Sequence, residues 1–273
     1  MNKENIEICE IAEESEMHRV LELALEAGRI LLGNGAEIFR VEETIWHICN
    51  HFNIEQVDAF VLSNGIFLTA YHKGKESFAR VKHVPLLGTH LGIVTEVNDL
   101  SRDISAGKVG IDEAFARLKE IEKMPPKKAW QSVLAAGIGS GAFCYLIQPN
   151  TVASCIAFVI GCILYMFVLF GQKHKMSKII INIVGGGMIT VLALIATKLG
   201  LPFEFGLNEI IIGSILPLIP GVGFVNAIRD IADSDFLSGT VKMINAIMVF
   251  VYIAIGVAIT LAVCSNWIGG IAL

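Results

Sequence analysis

The chain has 273 residues, of which 54% are hydrophobic and only 17% charged, with a mean hydropathy of +0.64 and a formal net charge of −5. Soluble domains carry roughly 25% charged residues, so this composition excludes a wholly water-soluble globule. Arg80, Lys82 and His83 are too few to form a nucleic-acid patch, and no nucleic-acid partner is expected.

The charge is unevenly spread. Residues 1–128 hold 15 of the 21 Lys/Arg and 21 of the 26 Asp/Glu, and residues 129–273 hold the other 6 and 5. The sequence therefore divides into a charged part of net −6 and an apolar part of net +1, the pattern of a two-part membrane protein. Its first residues, "MNKENIEICEIAEESEMH", are acidic and polar, the opposite of a basic region followed by an apolar core. That predicts a first part on the cytoplasmic side. Cys9, Cys49, Cys144, Cys155, Cys162 and Cys264 show no C-x-x-C spacing, and four of them fall in the apolar half, where cysteine behaves as a small hydrophobe. A disulfide framework is not expected.

In chain order, Met17, Val20, Leu21, Ala24, Gly28 and Leu31 recur at helical spacing, and Ile38, Val41, Ile45, Ile48 and Phe52 resume it. Two amphipathic helices joined at Gly33–Gly35 are predicted. Asn34 is a candidate cap, and Glu37, Glu42 and Glu43 suit the positive end of the second helix. Arg40 beside Glu37 or Glu43 reads as an ordinary surface pair. The period then changes: "IEQVDAFVL", "GIFLTAYH" and "SFARVKHV" read as three strands, with turns at Ser63-Asn64-Gly65 and Lys73-Gly74-Lys75. Leu91, Val94, Val97 and Ile104, then Ile111, Phe115, Leu118 and Ile121, restore helices, and Met124-Pro125-Pro126 ends the series. The order ααβββαα predicts a cytoplasmic α+β domain with an antiparallel sheet over residues 1–125.

Residues 126–273 then form a transmembrane domain of about five helices, near 129–147, 151–171, 179–197, 207–228 and 240–264, each close to the ~20 residues that cross a bilayer. With the first part inside, the cytoplasmic flanks carry Lys127, Lys128, Lys173, Lys175, Lys178, Arg229 and Lys242, against Lys198 beside Glu204 and Glu209 on the opposite side. By the positive-inside rule this predicts a cytoplasmic amino terminus and an external carboxy terminus in the plasma (inner) membrane. Gly137 and Gly141, and the run Gly185–Gly187, read as helix-packing positions.

The fourth span, "ILPLIPGVGFVNAIRD", is unlike the rest. Pro217 and Pro220 each remove a helix donor, and Gly221 and Gly223 add backbone freedom. Backbone freed in a bilayer must be satisfied by protein or water, and transporters use such discontinuous helices to hold substrate or ions. Asn226, Arg229 and Asp230 are spaced i, i+3, i+4 and share one helical face if helix resumes after Gly223. An amide, a guanidinium and a carboxylate there suit a small zwitterion or carboxylic acid. The plainer reading stands beside it: charges at a membrane edge serve as anchors, and prolines kink helices without functional consequence.

Other constellations are weaker. His47 and His51 lie one helical turn apart, but the glutamate of H-E-x-x-H is missing and Ile48 and Phe52 make this a packing helix. Gly33-Asn34-Gly35 has no lysine-serine follower, and no G-x-S-x-G or ATP motif occurs. No catalytic residue, metal or cofactor is expected, so an ion or substrate gradient would drive any transport. Asp230, Glu209 and Glu37 are the acids to test for proton coupling.

The segments "LLGNGAEIFRVEETI", "GTHLGIVTEVNDLSRDI" and "PGVGFVNAIRDIADSDFLSGTVK" resemble the threonine/serine exporter family over nearly the whole chain. The likeness is to its shorter members, with a cytoplasmic domain and five spans, which work with a separate small membrane protein; some such pairs are linked to succinate export. The resemblance matches Pro220, Gly221, Asn226, Arg229 and Asp230 to the family's best-marked membrane segment, and Gly35, Ala36, Glu37 and Arg40 to its amino-terminal motif. It implies a bilayer-embedded subunit of a secondary exporter of threonine, serine or a dicarboxylate. A second membrane subunit or a homo-oligomer would complete the assembly. The alternative is a membrane-anchored sensor or hydrolase with its site in the first domain.

Overall fold

A computed structural model describes residues 3–54, 56–72, 75–85, 88–125, 127–198 and 206–268. The turn expected at Lys73–Gly74, the helix stop at Pro126 and the flanking Glu204 lie outside these residues. The described residues are mostly helical, with one small three-stranded sheet among them. Two compact units are present. One comprises Met1–Pro126 together with Val222–Met243; the other comprises Lys127–Gly221 and Ile244–Leu273.

The first unit begins with α1 (Lys3–Gly33) and α2 (Ile38–His51), continues with β1 (Val57–Leu62), β2 (Gly65–His72) and β3 (Lys75–His83), and adds α3 (Leu91–Ser105) and α4 (Ile111–Glu122). The strands pair antiparallel in the order β1-β2-β3. Leu62 pairs with Gly65, so Gly65 belongs to the strand and Ser63-Asn64 alone make the turn. Alternation along β2 explains its two faces: Ile66, Leu68 and Ala70 are fully buried, while Phe67 is exposed. Leu21, Leu31, Ile38, Ile45, Ile48, Ile104 and Leu118 from the helices complete the core, each contributing roughly 1.5–3 kcal/mol by burial.

The chain leaves α1 through a Schellman turn. Ala36 N–H reaches Leu31 O at 3.1 Å and Gly35 N–H reaches Leu32 O at 3.2 Å. This geometry requires a left-handed residue after the cap, and Gly35 supplies it with φ +82°. Asn34 does not cap α2 as expected. Its Nδ2 instead donates to Ile30 O at 2.8 Å, closing the end of α1.

The second unit contains α5 (Ala129–Ile147), α6 (Thr151–Lys173), α7 (Lys178–Lys198) and α8 (Leu207–Ile215), plus the later part of α10 (Phe236–Ile268). Asn150 starts α6 by accepting from Val152 N at 3.0 Å and Ala153 N at 3.1 Å. Glycine permits the closest packing. A Cβ on Gly186 of α7 would meet Ile253 O of α10 at 2.6 Å, and one on Gly141 of α5 would meet Ser154 O of α6 at 2.9 Å. Trp130 and Tyr145 stand exposed near the two ends of α5, where aromatic side chains mark membrane interfaces.

Among the described residues, α5, α6, α7 and α10 are each long and apolar enough to cross a membrane. The fifth candidate is a bent pair, α8 with α9 (Gly221–Ala232). The break has a local cause. Leu216–Leu218 form a single 3-10 turn with Pro217 in its first positions, and Ile219 is extended (φ −66°, ψ 126°) because it precedes Pro220. Gly221 and Gly223 do not provide the bend. Both lie in α9 without positive φ, with open space where a Cβ would stand.

Candidate functional site

Within the first unit, the Schellman turn leaves the carbonyl of Gly35 and the first amides of α2 without intrahelical partners, as every helix start does. α9 satisfies them. Asn226 Nδ2 donates to Gly35 O at 2.9 Å. Asp230 Oδ1 accepts from Ile38 N, the first amide of α2, at 3.4 Å. A carboxylate at that position also complements the positive end of the helix dipole. The N-cap residue Glu37 makes no side-chain cap of its own and is instead paired with Arg229.

Asn226, Arg229 and Asp230 do share one face of α9, at the expected i, i+3, i+4 spacing. That face meets the 35–38 segment rather than open space. The second Asp230 oxygen, Oδ2, accepts from Lys242 Nζ at 2.7 Å, and the side chains of this ion pair are only 2% and 10% exposed. Arg40 stands at the edge, its Nε 3.9 Å from Glu37 Oε2, beyond hydrogen-bond reach. Pro217, Pro220, Gly221 and Gly223 make the break and the start of α9 and contribute no side-chain polar group.

The return from α9 to α10 repeats the turn seen after α1. Asp235 N–H reaches Asp230 O at 2.8 Å, Ser234 N–H reaches Ile231 O at 3.1 Å, and Ser234 takes the left-handed position at φ +73°. α10 then crosses α9 where Gly239 allows it, since a Cβ there would be 2.9 Å from Ala227 O. The "SG" after the "NA-x-RD" run is thus a packing requirement.

Two carboxyls beside this cluster are perturbed. Burial, then the neighbouring Asp230 and Asp233 carboxylates, push the Asp235 carboxyl above the ordinary range, with Lys242 opposing. Burial also raises Glu42, opposed by the hydrogen bond from Val61 N at 3.1 Å, while Asp235 raises it further. Cys49, deep in the core, is pushed up to about 12 by burial and is an inert thiol at neutral pH. Among the described residues no three His, Cys, Asp or Glu side chains gather as metal ligands. His47 Nε2 lies 3.8 Å from Glu43, and the His51 ring packs edge-on against Phe52.

Sequence reasoning named Asn226, Arg229, Asp230, Gly35 and Glu37, but as two separate motifs. It missed that they meet, and it counted Lys242 only as a flanking charge. One signal was available: a single lysine in an apolar run needs a counter-charge, and Asp230 lies within one helical hairpin of it.

The class these features define is an integral membrane protein with a broken apolar helix, the polar face of α9 being held by a loop from far earlier in the sequence. Residues 22–264 match the sequence profile of ThrE, and the chain belongs to this threonine/serine exporter family. It is 26% identical over 226 residues to the "Threonine/serine exporter" of Corynebacterium glutamicum, spanning 81% of this chain but only 46% of that protein. It is 24% identical over 249 residues to the "Probable succinate transporter subunit YjjP" of Escherichia coli, spanning 89% of this chain and 94% of that one. A fungal relative, "Pheromone-regulated membrane protein 10" of Debaryomyces hansenii, is 20% identical over 236 residues, which is 85% of this chain and 23% of the relative. No solved structure matches the chain.

Proposed function

We propose that the chain is one subunit of a secondary exporter for small polar metabolites, either threonine/serine-type amino acids or a dicarboxylate such as succinate, driven by an ion gradient. The observation that carries this reading is the clamp on α9. Asn226, Arg229 and Asp230 hold the half-helix that follows the proline break, and their partners Gly35, Glu37 and Ile38 begin α2. A helix that served only as an anchor would need neither the break nor a buried ion pair at its end. Releasing these few bonds frees α9 to move about Ile219–Pro220, which is the kind of bistable element that alternating access uses. In the clamped state the amide, guanidinium and carboxylate are all occupied by protein, so substrate would compete for them as the clamp opens.

The first part of the chain is taken as the cytoplasmic α+β domain, residues 1–125, and residues 126–273 as the membrane domain. The amino terminus would be inside and the carboxy terminus outside. The length match to a relative named as a transporter subunit supports a partner membrane protein, with a homo-oligomer as the other way to complete the assembly.

The test is efflux of threonine, serine and succinate from cells expressing the chain, with and without a candidate partner. Asn226→Ala and Arg229→Ala are each expected to lower export about tenfold or more, as losing a charged or buried hydrogen bond would, while the protein still reaches the membrane. Unchanged export by correctly inserted variants would sink the site assignment. No efflux of any of the three, with both proteins verified in the membrane, would favour the sensor or hydrolase reading.

A further inference from the structure

We propose that the cleft between α1, β3 and α4 binds a small molecule with one carboxylate on an apolar body, either an α-amino acid or the corresponding simple acid. The site lies wholly in the first unit, uses none of the residues of the α9 clamp and does not depend on the exporter reading. The cleft has a volume of about 450 Å3, within the range of small-molecule sites. Its floor is apolar. Leu25 and Ile30 of α1 and Leu118 of α4 are buried there, with Phe115 partly buried beside them.

The walls are charged, and local periods gather the charges. Glu22, Glu26 and Arg29 fall on one face of α1 at i, i+4 and i+7; Lys119 and Glu122 share a face of α4; Arg80 and Lys82, two residues apart, share a face of β3. Their pairing is unequal. Arg29 donates to Glu26 Oε1 from Nη2 at 2.6 Å and from Nε at 2.8 Å, and also donates to Glu122. Two of the carboxylates are thus committed to Arg29. The lining cations have no such bonds. Lys82 Nζ stands 3.8 Å from Glu26 Oε2 and Arg80 Nη2 stands 4.0 Å from Glu22 Oε1, both beyond hydrogen-bond distance. Lys119 has no ion pair among the described residues.

Three lining cations, Arg80, Lys82 and Lys119, therefore face one carboxylate, Glu22, that Arg29 does not hold. Among the described residues no ion pair joins α4 to β3 directly, although both present donors to the same space. An anionic group seated there supplies the missing counter-charge and bridges the two walls. A carboxylate suits it, since its two oxygens can accept from cations on both sides. The apolar floor takes a short hydrocarbon and penalises a second charge, which disfavours a dicarboxylate. Glu22, 59% exposed, stands at the rim, where it can accept the ammonium of an amino acid.

Isothermal titration of the purified full chain in detergent tests this with L-leucine, which carries both groups, 4-methylpentanoate, which carries only the carboxylate, and L-leucinamide, which carries only the ammonium. Leucine, 4-methylpentanoate or both should bind, and leucinamide should not. Tighter binding of leucine, with the difference from 4-methylpentanoate lost in Glu22→Gln, assigns the site to amino acids; equal or tighter binding of 4-methylpentanoate assigns it to simple acids. No binding of any of them, or leucinamide binding as tightly as leucine, overturns the proposal. Lys119→Gln and Lys82→Gln should each weaken binding about tenfold or more, as losing a charge-assisted hydrogen bond does. Their ligand-free Tm should stay within about 2 °C of the parent, because exposed pairs contribute little. Unchanged affinity in both lysine variants overturns the site. Arg229→Ala should leave binding intact; its loss there would place the ligand at α9 and overturn the proposal. No partner protein or efflux enters these measurements, so absent binding refutes this site alone, and absent efflux from cells refutes only the exporter reading.

Discussion

Asp230 does two jobs at once. One oxygen holds the first amide of α2 and the other holds Lys242 inside a nearly dry pair. Removing one member of a buried pair leaves the other charge uncompensated, which costs about 3–5 kcal/mol. Lys242→Met should therefore destabilise the chain by about that amount in denaturant titration. The double variant Asp230→Asn/Lys242→Met should recover most of the loss, since an amide oxygen in place of the carboxylate can still accept from Ile38 N. If export stays absent in the stable double variant, the pair matters for the transport cycle and not for the fold alone. Little of this was legible. The spacing of Asn226, Arg229 and Asp230 put them on one face, but nothing local to residues 215–230 tells which distant backbone groups that face will meet. Gly35 was legible as a turn residue, whereas its carbonyl's role as acceptor for Asn226 was not.

At the scale of elements, the apolar helices and the three strands were readable because each follows from a local period: uninterrupted apolar length for the one, alternation for the other. Capping was not, because α2 borrows its cap from a residue 192 positions away. The α9–α10 turn offers a pH test. The Asp235 carboxyl is held above its ordinary range when folded, so the folded chain binds this proton more tightly than the unfolded one. Its contribution to stability is present at pH values below the ordinary carboxylate range and is lost as pH rises through the raised value. Asp235→Asn should accordingly raise Tm at pH 7 and have a shrinking effect as the pH is lowered toward 4. An advantage that grows on acidification would contradict the assignment. Asparagine keeps the side-chain oxygen at this position, so capping of α10 is not the variable.

At the scale of the whole molecule, family membership and an integral membrane character are plain, and the charge bias argues the orientation. Alkaline phosphatase fused after Leu273 should be active outside the cell, and the same enzyme inserted at 174–177, between α6 and α7, should be inactive. The reverse pattern would refute an internal amino terminus or the count of five crossings. The make-up of the first unit bears on something else, the order of biosynthesis. Because it draws in Val222–Met243 as well as the opening 126 residues, the ribosome must pass four apolar helices, α5 to α8, and the break before α2 can acquire its cap. The opening segment must therefore wait, partly finished, through most of membrane insertion, and a fragment ending near residue 126 would leave the start of α2 bare for good.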